Sequence, residues 1–230
     1  MSVPQATRVA APASRQRRKQ ARPQELLDAA LELFVEKGFA ATRAEAVAVR
    51  AGVAKGTLYL YFPSKEELLK EVVRQNVVNP IAEGVAIIRS FEGASSTLLA
   101  RILRLWWDRV GETRASGILK LMLSEVRNFP ELAQFYIDEV TVPCERMLSE
   151  LVQRGIDRGE FRDVDVRHVV HALLGPLLFL VMNKHSLGAC AAAACLDPIP
   201  IIEAHIDLVL RGLEPRAAMA ADAPFEARAA

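Results

Sequence analysis

The sequence predicts an all-α protein, with a three-helix helix-turn-helix unit near its N-terminus and a longer helical region behind it. Three observations carry that expectation. Apolar residues make up 51% of the 230 and are mostly Leu, Ala and Val, while only 12 residues are Gly, a composition that favours helix over sheet. Apolar positions recur at helical spacing through most of residues 81–213. The stretch 51–62, AGVAKGTLYLYF, with the run 42–50 before it, reads as two short helices about a tight turn at Gly52. The length suits one or two domains.

Taken in order, residues 1–20 read as a disordered arm, ending in the basic cluster Arg15, Arg17, Arg18 and Lys19. Such a cluster is either a solubilising tail or an arm for phosphate or the minor groove. Pro23 suits the first turn of a helix, Leu27, Ala30, Leu31 and Phe34 follow at helical spacing, and Gly38 closes it. Thr42 and Glu45 then stand at capping-box spacing. Gly52 takes a left-handed backbone where the chain reverses. Val47, Ala51, Val53, Leu58 and Phe62 turn inward, which leaves Lys55, Gly56, Thr57, Tyr59 and Tyr61 to face outward. A second helix presenting such groups is a DNA reader.

Ser64 caps the next helix, with Glu66 and Glu67 in its first turn and an apolar face that runs to Pro80. The longer region reads as amphipathic helices over residues 95–110, 118–126, 131–159 (kinked by Pro143), 164–187 and 198–212. Residues 188–197 are a Gly/Ala/Cys-rich connector, and residues 214–230 a frayed tail. The expected division is therefore an arm 1–20, a reader domain 21–81 with its helix-turn-helix at 43–62, a helical domain 82–213, and a tail 214–230.

The residues from Ala29 through Leu33-Phe34, Gly38-Phe39 and Thr42 to Val47-Ala48 and Ala51-Gly52-Val53 resemble the DNA-binding domain of the TetR family of transcriptional regulators. The likeness continues through Lys55-Gly56-Thr57-Leu58-Tyr59, Tyr61-Phe62 and Ser64-Lys65-Glu66. It covers residues 22–80 well and the helical remainder in outline. Ala54 departs from it, standing where the family carries Ser or Thr, so a side-chain cap is missing; Ala44 and Ala46 are smaller or less polar than usual. The resemblance implies a dimeric, ligand-released repressor of a palindromic double-stranded DNA operator. It implies also that the second domain binds an effector and dimerises. The other readings are an activator, a regulator without an effector, or a helical ligand-binding module with a degenerate reader.

Charge supports the DNA reading. Residues 1–62 hold ten Lys and Arg against five Asp and Glu, and residues 63–230 hold 19 against 23, so the basic excess lies with the reader. Lys55 is suited to guanine or phosphate, Gly56 to close backbone approach, and Thr57 to a thymine methyl or phosphate. Tyr59 and Tyr61 offer hydroxyls to the phosphate chain. Thr42, Arg43 and Lys65 complete the expected contact set, a solvated surface Lys being the alternative for Lys65.

Trp106, Trp107, Phe135, Tyr136, Phe179 and Met182 supply bulk to the second domain. They are read either as core or, as the resemblance implies, as walls of a pocket for a small apolar or aromatic effector. Helix 164–187 is too uniformly apolar for one small domain to cover. Val170, Leu173, Leu174, Leu177, Leu178 and Val181, with Ile202, His205, Leu208 and Val209 of the last helix, are therefore expected to pair with their copies in a homodimer. No hydrolase, zinc-protease, phosphate-loop or dinucleotide signature is present, so no enzyme and no cofactor are expected. His168 and His171 lack further ligands for a metal site, and Cys144, Cys190 and Cys195 show no ligand spacing beyond one C-x4-C. Residues 1–21 carry no apolar segment, and the longest apolar run is short for a bilayer, so a cytoplasmic protein without membrane association is expected.

Overall fold

The computed structural model describes residues 13–191 and 195–215; the first twelve residues of the expected arm and the tail from 216 lie outside them. Among the described residues there is no strand. Helix α1, Ala13–Lys37, passes through Pro23 and ends at Gly38, whose φ is +83°. The basic cluster is thus helix rather than an extended arm, because Ala, Arg, Gln and Lys are strong helix formers. Helices α2 (Ala44–Arg50) and α3 (Lys55–Tyr61) follow, joined through Gly52 at φ +66°.

The capping box does not form. Thr42 is 2% exposed, and its hydroxyl is directed at Gly38 O, just past α1 (2.7 Å), and Leu33 O, near the end of that helix (3.1 Å). Arg43 takes the N-cap position with no side-chain bond, and Glu45 pairs with Lys55 instead. The orphan carbonyls at the end of α1 win the hydroxyl that the spacing assigned to α2.

Helix α4, Lys65–Val73, begins as expected, with Ser64 Oγ accepting from Glu67 N at 3.1 Å. It does not stop at Pro80. A π turn, Arg74–Val78, carries it into α5, Asn79–Ser90. The same device recurs twice. Helix α6 (Ser95–Trp106) ends in a π turn at Trp107–Gly111, and α8 (Pro130–Tyr136) runs through one at Ile137–Thr141 into α9 (Val142–Asp157). Each is closed by an amide reaching back five residues: Asn79 to Arg74, Glu112 to Trp107, Val142 to Ile137. Pro80 and Pro143 each come directly after that amide. In a regular α-helix their rings would strike the carbonyl four residues back; widening the preceding turn relieves the clash without breaking the helix.

Helices α7 (Ser116–Glu125), α10 (Val166–Lys184), α11 (Leu187–Cys190) and α12 (Pro198–Leu213) complete the chain. One continuous core runs from Leu26 under the reader to Leu213 at the end of α12. The expected boundary at residue 81 falls inside α5, so reader and helical region share a helix. They also meet at α1 and α7. A Cβ on Gly117 would lie 2.5 Å from Val35 Cγ1, so only glycine allows that approach. Phe39 meets Phe129 edge-on at 4.9 Å, and Glu32 of α1 pairs with both Arg50 and Arg114.

Candidate nucleic-acid interface and interior cavity

Leu58 is the one buried side chain of α3, which packs on α2. It fixes the helix so that Lys55, Gly56 and Tyr59 are exposed, with Thr57 and Tyr61 half-buried. Lys55 is salt-bridged to Glu45 of α2, and its ammonium stands 5.9 Å from the Tyr59 ring centre. The hydrogen bond from Lys55 holds the Glu45 carboxyl below its ordinary range. To reach a guanine edge or a phosphate, that ammonium would have to give up the carboxylate. Arg43 is exposed at the start of α2. Ala54 caps α3 without a side-chain bond.

Two of the expected contact residues are engaged inside the protein. Thr42 is buried as described, and Lys65 Nζ donates to Phe39 O at 2.8 Å while lying 4.3 Å from the centre of the Phe39 ring. Lys65 thereby ties the start of α4 to the turn after α1. One exposed residue was missed. Leu60 on α3 is 82% exposed. The signal was present: with Leu58 and Phe62 inward, residue 60 lies about 200° around the helix from Leu58.

Behind the reader, a cavity of about 200 Å³ opens among α5, α6, α7, the stretch from α8 to α9, and α10. Its wall is built at the π turns. Val77 belongs to the first, Val140 and Thr141 to the third, and Trp106 abuts the second. Leu119 and Leu123 of α7 and Leu174 and Leu178 of α10 face it from the other side. The polar groups on it are few: Tyr136, Thr141, Cys144 and Glu145. Burial, then the neighbouring Cys144, pushes the Tyr136 phenol well above its usual range. Burial and the charge of Glu145 push the Cys144 thiol up to about 11, so both stay protonated. Beside the cavity, Arg74 in the first π turn forks onto Glu139 in the third, with Nε–Oε2 at 2.9 Å and Nη2–Oε1 at 2.8 Å.

Of the six residues expected around a pocket, Trp106 and Tyr136 line this cavity. Trp107 is 2% exposed in the core against Gly111, and Phe135 lies under the Arg74 guanidinium at 5.1 Å. Phe179 is 62% exposed on the outer side of α10, and half-buried Met182 lies further along that helix, off the cavity wall.

The expected dimer face needs the converse correction. Val170, Leu173, Leu177, Val181 and Ile202 are buried within the single chain, and Leu174 and Leu178 are cavity wall. The His205 ring is 3.1 Å from Leu173 O, tying α12 to α10, and Val209 is half-buried. What remains uncovered is the stripe Ala172, Gly175 and Phe179 on α10 with Leu208, 70% exposed, on α12. The stretch Val166–Cys190 is long and apolar enough to cross a bilayer by length and composition, and 28% of its most apolar window is buried.

A helix-turn-helix with an outward-facing basic and aromatic second helix, mounted on a helical body, defines a DNA-binding regulator. Residues 26–72 match the family model described as bacterial regulatory proteins, tetR family, and residues 93–197 match the tetracyclin repressor-like C-terminal domain. The chain is 30% identical over 148 residues to the uncharacterized HTH-type transcriptional regulator YfiR of Bacillus subtilis, covering 64% of this chain and 71% of that one. It is 28% identical over 162 residues to the fatty acid metabolism regulator protein of the same organism, covering 69% and 82%. The crystal structure of the transcriptional regulator FadR from Bacillus subtilis in complex with stearoyl-CoA superposes with a TM-score of 0.63 at 23% identity, over 83% of this chain and 99% of that one. This chain belongs to the TetR family and is a DNA-binding transcriptional regulator.

Proposed function

We propose that the chain is a cytoplasmic, dimeric repressor that leaves a palindromic operator when a small apolar effector enters the cavity. Residues 21–81 act as the reader and 82–213 as the effector-binding and dimerising region. Lys55, Gly56, Thr57 and Tyr59 meet the major groove and its phosphates, with Arg43 and Tyr61 on the flanking backbone. Thr42 and Lys65 brace the reader from within. A second copy covers the apolar stripe of α10 and α12, returning the same face by two-fold symmetry.

The observation that carries the reading is the position of Val77 and Ile81 in the cavity wall, on the helix that continues α4 of the reader. A ligand pressing on them bears on α4, which packs on α1, and through α1 on the pair α2 and α3. Repression and effector binding are then reciprocal: whatever lowers operator affinity binds more weakly when operator is present. The test is fluorescence anisotropy on duplexes selected from a random pool. The expected result is a palindromic site bound by two chains, with affinity falling steeply as salt rises. Binding without sequence preference would remove the operator from the proposal.

A further inference from the structure

The cavity selects by charge and by size, and the inference drawn from this rests on its being the effector site. No Lys, Arg or His stands on its wall. The one charged wall residue is Glu145, which has no ion-pair partner among the described residues. An anion entering would lose its hydration, gain no counter-charge and meet a carboxylate. A cavity of about 200 Å³ is only somewhat larger than the ~150 Å³ apolar void that accommodates benzene, so it suits a group of about one ring. Tyr136 adds a specific demand. Its hydroxyl makes no hydrogen bond among the described residues, in a wall that is largely apolar. A protonated phenol in that position is a donor waiting for an acceptor. Trp106 supplies the second aromatic surface.

We propose that the effector is a non-anionic molecule of about one ring's size, largely apolar, with a carbonyl or ether oxygen that accepts a hydrogen bond from Tyr136 Oη. Carboxylates are rejected by the same wall.

Four probes of one size separate the contributions: acetophenone, ethylbenzene, benzoate and benzylamine. Each is titrated into the full-length chain, with quenching of Trp106 as the readout and displacement from the selected operator as the second. Acetophenone is expected to bind tightest, ethylbenzene roughly fivefold more weakly for want of one hydrogen bond, and benzoate not measurably. Tyr136→Phe should bring acetophenone down to the level of ethylbenzene and leave ethylbenzene unchanged, with helicity intact. Benzoate or benzylamine matching acetophenone would overturn the assignment, as would equal losses for both neutral probes in Tyr136→Phe, or no binding by any probe at millimolar concentration. Leu178→Trp, which fills the cavity, tests the site separately. If it abolishes binding of whichever probe prevails, the cavity stands even where the ligand class falls. Acetophenone that binds in the cavity yet leaves operator affinity unchanged would sink the release mechanism and spare the ligand class.

Discussion

Helix α3 has seven residues and buries one side chain, whereas α10 has nineteen and buries five. In α3 the functional groups are those that packing leaves over, and one leucine suffices to orient them. In α10 three faces do three things. One is core (Val170, Leu173, Leu177), one is cavity wall (Leu174, Leu178), and one is uncovered (Ala172, Gly175, Phe179). Neighbouring leucines on one helix therefore have unlike roles, and a substitution is informative only when its face is known.

The sharpest break of that comparison is Leu177→Glu against Leu208→Glu. The first puts a carboxylate into the core and should cost at least about 3–5 kcal/mol, enough to unfold much of the population. The second sits on a 70% exposed site and should keep its helicity while light scattering shows a monomer. A folded, dimeric Leu177→Glu variant would contradict the described packing.

On α3, Lys55→Ala should weaken operator binding by about 1–3 kcal/mol and relax preference at one base pair per half-site. Stability should hardly change, because the Glu45 pair it breaks is half-exposed on both sides. Selection from a random pool with wild type and variant reads both effects.

The difference between the two helices also explains what could be read in advance. Around α3, Lys55 and the tyrosines alternate with Leu58 and Phe62, so polarity marks the phase, and most of the outward face was legible. Leu60 was passed over because it is apolar. In α10 no polar residue stands between Ala172 and Met182 to mark a phase. Phe179 was therefore assigned to the pocket and Leu174 and Leu178 to the dimer face, each the wrong way round relative to its packing. Thr42 misled for another reason. Its spacing to Glu45 is a local signal, while the carbonyls that claim its hydroxyl come from the preceding helix. The π turns are signalled in sequence only by Pro80 and Pro143, which read first as a stop and a kink.

Leu60→Ala sharpens the comparison at a smaller scale. An 82% exposed leucine on the reading face can cover a thymine methyl, and burying one such group is worth about 0.8 kcal/mol. Replacing the contacted thymine by uracil should cost wild type roughly fourfold per half-site and cost Leu60→Ala nothing. Equal sensitivity in both proteins would remove Leu60 from base recognition.

The smallest effect is expected at the end of α10. His185 Nε2 lies 2.8 Å from the buried Ser116 Oγ, and burial, with Lys184 and Lys120 nearby, lowers its pKa from 6.5. The unfolded chain therefore takes up the proton more readily, and stability falls as pH drops through 6.5 towards the lower folded value. Thermal melts at pH 7.5 and 5.5 should differ by about one or two degrees more in wild type than in His185→Gln.

The three π turns also constrain how this chain can change in length. Surface loops tolerate gained or lost residues because nothing downstream depends on their count. Here each hydrogen-bonded ring spans one residue more than in an α-helix, and removing one residue from Arg74–Val78 or Ile137–Thr141 would restore a regular turn. The helix beyond the deletion would keep nearly its present phase, because the wide turn is what absorbs the added residue. Pro80 or Pro143 would, however, meet the carbonyl it now avoids. These helical stretches are thus intolerant of length variation although each is a continuous rod. Single-codon deletions should be rejected at the π turns that precede Pro80 and Pro143.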